Sequence, residues 1–317
     1  MTQGAAFAHV PVMLEEVIEL FASVPAGLIL DATVGGGGHA AAILTARADL
    51  RLLGLDRDSD AVTAAEARLA RFGGRERVVH ARFDSLGEVL AGERLSGALF
   101  DLGVSSHQLE TADRGFSYRT DGPLDMRMDT GAGRPAADVA NTISEDALTA
   151  LLAANGEERL ARRIARAIVS ARPHASTRQL AEVVDAAVPR RGRRPGHPAA
   201  RVFQALRIEV NEELTILPAA LEQAIERLVP GGRIVVLSYH SGEDRLVKGC
   251  FAAAASGGCT CPQGLPCVCG AVPTLRLLNR GARKASPAEV ASNRRASSAR
   301  LRAAEKLAVA SPPEEAA

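Results

Sequence analysis

Short apolar runs alternate with helix-length segments over the first hundred residues. Residues 28–32, 51–56, 77–83 and 98–102 read as strands, with helices at 40–47 and 61–72 between them. Strands separated by helices imply βαβ units, a parallel sheet and right-handed crossovers. The rhythm breaks from about Ser106 to Arg207, where turn-rich sequence gives way to helical patterns without a convincing strand. It resumes with a helix near residues 211–228, the turn Pro230-Gly231-Gly232, and the β-branched run 233–239. The pattern predicts an α/β sheet built from residues 1–105 and 211–317, interrupted by an inserted helical domain at 106–210.

Charge changes this picture more than composition does. The chain has 317 residues, is 47% hydrophobic and carries a net charge of only +1. Its distribution is uneven. Residues 1–100 hold nine basic against thirteen acidic side chains, whereas 159–207 hold twelve arginines against Glu182 and Asp185. Residues 275–306 hold nine basic side chains against Glu289 and Glu305. An acidic front joined to two basic regions is the asymmetry expected of a surface that meets a polyanion.

The opening stretch has no basic region leading into an apolar run, and no uncharged apolar stretch reaches the roughly 18 residues of a membrane span. A soluble, cytoplasmic protein is expected. The five cysteines all fall between residues 250 and 269. A disulfide framework would spread them, so reduced thiols or a local metal site fit better. Cys259, Cys261, Cys267 and Cys269 are candidate ligands of a structural zinc, although the C-x-C spacing is less diagnostic than C-x2-C.

The first strand leads into Asp31-Ala-Thr-Val and then GGGGHA (35–40). Glycines let the backbone turn sharply before a helix N-terminus. Two cofactors compete for such a turn. Gly35-x-Gly37-x-x-Ala40, with Asp56 downstream, formally satisfies a dinucleotide fingerprint, but a lone match is weak. S-adenosylmethionine (SAM) explains more residues, because its sulfonium and ammonium are cationic and carboxylates near them are favourable. Asp31, Asp56, Asp84 and Asp101 each stand at or just past a strand's carboxyl end, the edge where open α/β sheets bind ligands. The expected fold is therefore a Rossmann-like, SAM-dependent methyltransferase sheet with a helical insertion. His39, directly after the glycines, reads as a cofactor contact rather than a core histidine, and Phe83 as an adenine neighbour.

In the insertion, residues 157–169 form an amphipathic helical pattern. Leu160, Ile164 and Ile168 make the buried stripe, and Arg159, Arg162, Arg163 and Arg166 a cationic face with only Glu158 placed to pair. Arg190, Arg191, Arg193 and Arg194 add a basic loop. Arginine's planar fork suits phosphate, so these eight residues are candidate RNA contacts that position rather than read sequence. With 3% aromatic residues and no Trp, a stacking platform is not expected. A base gripped singly fits better.

One ordered series of motifs is more specific: GGGGHA, DLGVSSHQL (101–109), RGFSY (114–118), DGPLDMRMD (121–129), GEER (156–159), HPAARVFQALRIEVN (197–211) and YHSGEDR (239–245). From about His9 to Lys306 the chain closely resembles the bacterial MraW family. The resemblance implies methylation of N4 of a cytidine in the decoding region of 16S rRNA, within the small ribosomal subunit, with SAM as donor. It also implies SAM contacts at Gly37, Gly38, His39, Asp56, Phe83, Asp101 and Gln108. Three departures stand out. The glycine loop ends in Ala40 where Ser is usual, FHSLEDR is YHSGEDR, and a usual Asn-Pro-Arg-Ser is Asn293-Arg-Arg-Ala. For catalysis, Asp101, Ser105 and His240 are the candidates near the expected methyl and substrate amine. The alternatives are a SAM methyltransferase acting on another nucleic-acid base and an RNA-binding assembly factor without catalysis.

Overall fold

Strand β1 (Gly27–Asp31) is buried along nearly its whole length, which is why its sequence, GLILD, is apolar without alternation. The computed structural model describes residues 11–156, 159–189, 196–262 and 268–308. In chain order, α1 (Leu14–Phe21) precedes β1, and α2 (Gly38–Ala46), β2 (Leu50–Asp56), α3 (Ser59–Leu69), β3 (Glu76–His80), α4 (Leu86–Leu90) and β4 (Leu95–Asp101) follow it. Then come α5 (Ser106–Glu110), α6 (Ala136–Thr142), α7 (Glu145–Ala154), α8 (Ala161–Ser170), α9 (Thr177–Ala187) and α10 (Ala199–Asn211). The chain continues through α11 (Glu213–Arg227), β5 (Leu228–Ser238), α12 (Ser241–Ser256), β6 (Leu275–Leu277), α13 (Pro287–Ser292) and β7 (Arg300–Lys306).

Seven strands form one sheet in the order β3-β2-β1-β4-β5-β7-β6. β1 to β5 are parallel, and β7 runs antiparallel to both β5 and β6. This is the Rossmann-like sheet the sequence predicts. Strand order reverses between β1 and β4, so a crevice opens at their carboxyl ends. One apolar layer joins Leu30, Leu53, Phe100 and Val236 to Leu217 and Leu221 of α11. The other joins Val17 and Phe21 of α1 to Ile29, Leu52, Leu99 and Val235.

Two compact units divide the chain: Met1–Gly103 with Ile216–Ala317, and Val104–Thr215. The second has its own core, which includes Leu148, Ile164, Ile168, Leu180, Val202 and Leu206. Among its described residues no strand of the sheet occurs.

Several element boundaries differ from the sequence reading. β3 ends at His80, and Phe83 lies in a short 3-10 turn with Asp84 and Ser85. The helix expected at 157–169 begins at Ala161, with Leu160 at its N-cap. β6 and β7 lie inside the basic region of residues 275–306. Some of its charges have partners within the fold: Arg302 pairs with Asp244 at 2.7 Å, Arg276 with Glu305 at 2.7 Å and Arg283 with Glu19 at 3.3 Å.

Candidate functional site

Asp31, Asp56 and Asp101 are the last residues of β1, β2 and β4, three neighbouring strands of the sheet. Register places Asp31 opposite Gly54 on one side and Leu99 on the other, so the three carboxylates share one edge. Asp31 and Asp56 end their strands because the next residues turn away from the sheet and donate to the aspartate side chains. Thr33 N–H donates to Asp31 Oδ1 at 3.3 Å. Gly35 and Asp58 N–H donate to the two oxygens of Asp56, both at 2.9 Å. Asp101 N–H donates to Thr33 Oγ1 at 2.7 Å, tying β4 to the same turn.

Burial and mutual repulsion make the ionised form of these carboxylates costly. Burial raises the Asp31 pKa to about 8, with Asp101 and Asp56 adding to the rise against one lowering backbone hydrogen bond. Desolvation likewise lifts Asp56 to about 6, against the hydrogen bonds from Asp58 and Gly35. None of the groups that shift Asp31 is cationic. Such a donor set suits a positively charged ligand, and the sulfonium and ammonium of SAM meet that requirement.

Gly37 sits at the N-cap of α2 with φ +73°, a left-handed conformation that favours glycine. At Gly38 a Cβ would lie 2.6 Å from Pro11 Cγ, so packing against the chain's own start already demands glycine there. His39 is 5% exposed, contrary to the reading of it as no core histidine. Its Nε2–H donates to Val12 carbonyl at 3.0 Å, and its Nδ1 faces Asp101 Oδ2 at 3.6 Å. The other Asp101 oxygen accepts from the Tyr239 hydroxyl at 2.6 Å. Sequence reasoning missed Tyr239, because an aromatic residue closing a buried strand reads as core.

Phe83 packs edge-to-face on Phe100, with ring centroids 5.9 Å apart. Asp84 lies four residues past β3, and its carboxylate is taken by Arg82 at 2.6 and 2.9 Å, which pulls its pKa down. It therefore stands apart from the three strand-end acids.

Ser105 and Gln108 form a capping box on α5. Ser105 Oγ accepts from Gln108 N–H at 3.2 Å, and Gln108 Oε1 accepts from Ser105 N–H at 3.0 Å. The Ser-x-x-Gln spacing is the sequence signal that would have revealed it. His240 likewise caps α12. Its Nδ1 accepts from Gly242 and Glu243 N–H at 3.2 and 3.4 Å, while Glu243 Oε1 stands 3.2 Å from Nε2. Both candidates thus have a local structural duty.

In the second unit, Arg159, Arg162, Arg163 and Arg166 are all exposed. Arg166 pairs with Glu145 of α7 at 3.3 Å, a partner the helical pattern alone did not show. Arg190, Arg191, Arg193 and Arg194 lie outside the described residues, as does Glu158. Sulfurs of Cys259, Cys261 and Cys269 all lie within 4.8 Å of one another, and Cys267 is outside the described residues.

The model of the MraW methylase family matches residues 6–307. A relative from Saccharopolyspora erythraea is 53% identical over 310 residues, covering 94% of this chain and 93% of that protein. One from Carboxydothermus hydrogenoformans is 50% identical over 311 residues, covering 96% and 99%. Both carry the name ribosomal RNA small subunit methyltransferase H. Among solved structures, an rRNA methylase from Streptococcus thermophilus is 12% identical with a TM-score of 0.44, over 95% of this chain and 100% of that one.

Proposed function

This chain belongs to the MraW methylase family, and on that premise we propose that it methylates N4 of a cytidine in the decoding region of 16S rRNA. The observation that carries the reading is the set of three aspartates ending β1, β2 and β4 around a glycine turn. When bound, SAM supplies an activated methyl group on a cationic sulfur. Asp31 and Asp101 would hold its positive charge, and Asp56 would accept from its ribose hydroxyls. Gly37, Gly38, His39, Phe83 and Gln108 complete the proposed contacts. The names of the relatives supply the RNA. N4 of cytidine and the decoding region rest on the motif series alone.

The N4 lone pair is delocalised into the ring, so the amine is a poor nucleophile. Catalysis then depends on holding it in line with the methyl and accepting a hydrogen bond from its proton. Asp101 is assigned first to the donor. Ser105 and His240 remain candidates for the amine, since His240 caps through Nδ1 alone and the Ser105 hydroxyl can still donate. Residues 106–210 would serve as the substrate-recognition insertion, with Arg159, Arg162, Arg163, Arg166 and the arginines at 190, 191, 193 and 194 on phosphates. A cytoplasmic protein acting on the small ribosomal subunit fits this chemistry.

The cysteine cluster is proposed to hold a structural zinc. Tetrahedral thiolate at about 2.3 Å from zinc needs sulfurs a little under 4 Å apart, a geometry three sulfurs within 4.8 Å of one another can reach with a small adjustment. Cys250 lies apart as a neutral thiol, pushed to about 11 by burial and Glu222. Metal analysis of purified protein should find one zinc per chain, and a metal-free protein would end this part of the reading.

The deciding experiment is methyl transfer from radiolabelled SAM to small subunits lacking the modification, followed by nucleoside analysis. Labelled N4-methylcytidine is expected. Label on another nucleoside would move the target, and SAM binding without transfer to any RNA would overturn the substrate.

A further inference from the structure

Tyr239 stands one residue past β5, beside the end of β4. Register pairs Asp101 with Leu237, so Tyr239 is two residues further along, on the same face. Its ring packs against the apolar layer of α1 and β1, while its hydroxyl donates to Asp101 Oδ1 at 2.6 Å. An O–H···O⁻ bond of that length is charge-assisted. The phenol keeps its proton, since burial first and the Asp101 charge next raise its pKa well above the usual value. The second oxygen, Oδ2, is left facing His39 Nδ1 at 3.6 Å. His39 cannot turn away, because its Nε2–H is held by Val12 carbonyl. The Asp101 side chain is 26% exposed, so it is reachable from solution.

We propose that Tyr239 is a positioning residue: by fixing Oδ1 of Asp101, its hydroxyl presents Oδ2, beside His39 Nδ1, to a cationic or N–H-donating part of the methyl donor. This rests on the reading of the strand-end edge as the SAM site. The terminal carboxylate torsion of an aspartate is broad and two-fold, so losing the hydroxyl's bond removes one restraint on its orientation. A hydrogen bond donated to a carboxylate favours its ionised form. The groups facing this pair are Asp31, whose charge is coupled to that of Asp101, the carboxylates of Glu243 and Glu289 that act on the Tyr239 phenol, and the His39 imidazole.

The test is Tyr239→Phe, which removes one oxygen and keeps the packed ring. The KM for SAM should rise about tenfold with kcat little changed, as expected for loss of a charge-assisted bond in the ground state. In the SAM-free protein, the carboxyl-carbon NMR titration of Asp101 should move to higher pH. A purely structural hydroxyl would lower the melting temperature and leave both readouts where they were. An unmoved titration or an unchanged KM overturns the proposal. Calorimetry on the wild-type protein comes first: absence of SAM binding there overturns the site reading and this proposal together, before any substitution is made.

Discussion

Asn211, the last residue of α10, accepts a hydrogen bond from Met128 N–H at 2.9 Å through its side-chain oxygen. Its amide nitrogen donates to the carbonyl of Met126 at 2.8 Å and to that of Arg207 at 2.9 Å. Met126 has φ +62°, an uncommon conformation for a side-chain-bearing residue, so the segment needs outside support. The two most specific strings of the sequence, DGPLDMRMD and FQALRIEVN, therefore meet at one buried amide. Asn211→Ala leaves a buried N–H and a buried carbonyl without this partner. It should cost about 2–4 kcal/mol in urea unfolding of the second unit. A cost under about 0.5 kcal/mol would mean that water replaces the amide without penalty.

Asp31 gives the protein a pH dependence whose sign is opposite to that of a salt-bridged acid. Burial raises its pKa to about 8 in the folded chain, from an ordinary value of 3.8. Between those values the folded state holds a proton that the unfolded state has lost, so stability falls as pH rises from 4 to 8. Asp56, raised to about 6, adds to the same trend over a narrower window. Asp31→Asn should flatten the fall and raise the melting temperature of SAM-free protein at pH 8. SAM behaves in reverse. A cation favours the ionised carboxylate, so affinity should tighten by up to about tenfold per pH unit below pH 8. Titration calorimetry in two buffers should show a proton released on binding, and a pH-independent affinity would refute the coupling.

Parallel strands buried on both faces leave a plain signature, and β1, β2 and β4 were legible for that reason, as were the aspartates that end them. β7 was not. Its sequence, RLRAAEK, buries Leu301, Ala303 and Ala304, while Arg302 finds Asp244 of α12 and Glu305 finds Arg233 and Arg276 on the neighbouring strands. Before the fold is known those charges look solvated, and their partners are 58 or more residues away for Asp244 and Arg233. The burial of His39 was not legible because nothing local shows that the Val12 carbonyl will come within hydrogen-bond reach of its ring. The Tyr239 hydroxyl depends on two strands being neighbours, a fact of topology rather than of pattern.

The exposed arginines of α8 do not stand in equal positions. Arg162 and Arg163 are exposed on the helix, whereas Arg166 is already engaged by Glu145 at 3.3 Å. If this face meets RNA phosphates, Arg162→Ala with Arg163→Ala should weaken RNA binding about tenfold at physiological salt. It should also reduce the salt slope by about 1–2, one released counterion per lost contact. Arg166→Ala should do less, since in the free protein that guanidinium is shared with a carboxylate. SAM affinity should be unaffected by either change. Equal losses from all three, or an unchanged salt slope, would place the RNA elsewhere.

Asp56 has two duties that can be separated by experiment. It braces Gly35 and Asp58 through backbone N–H groups, and it stands where ribose hydroxyls are proposed to bind. Asp56→Asn keeps one oxygen that can accept and removes the charge, so the turn should survive in part. Asp56→Ala removes both acceptors and should cost about 1–3 kcal/mol of stability as well. Both variants should bind SAM at least about tenfold more weakly, since each loses hydrogen bonds between a carboxylate and hydroxyls. A SAM analogue lacking its ribose hydroxyls tells the duties apart. Wild type and Asp56→Asn should bind that analogue with nearly equal affinity if the carboxylate acts through the ribose. A remaining tenfold gap would mean that Asp56 acts only by shaping the glycine turn.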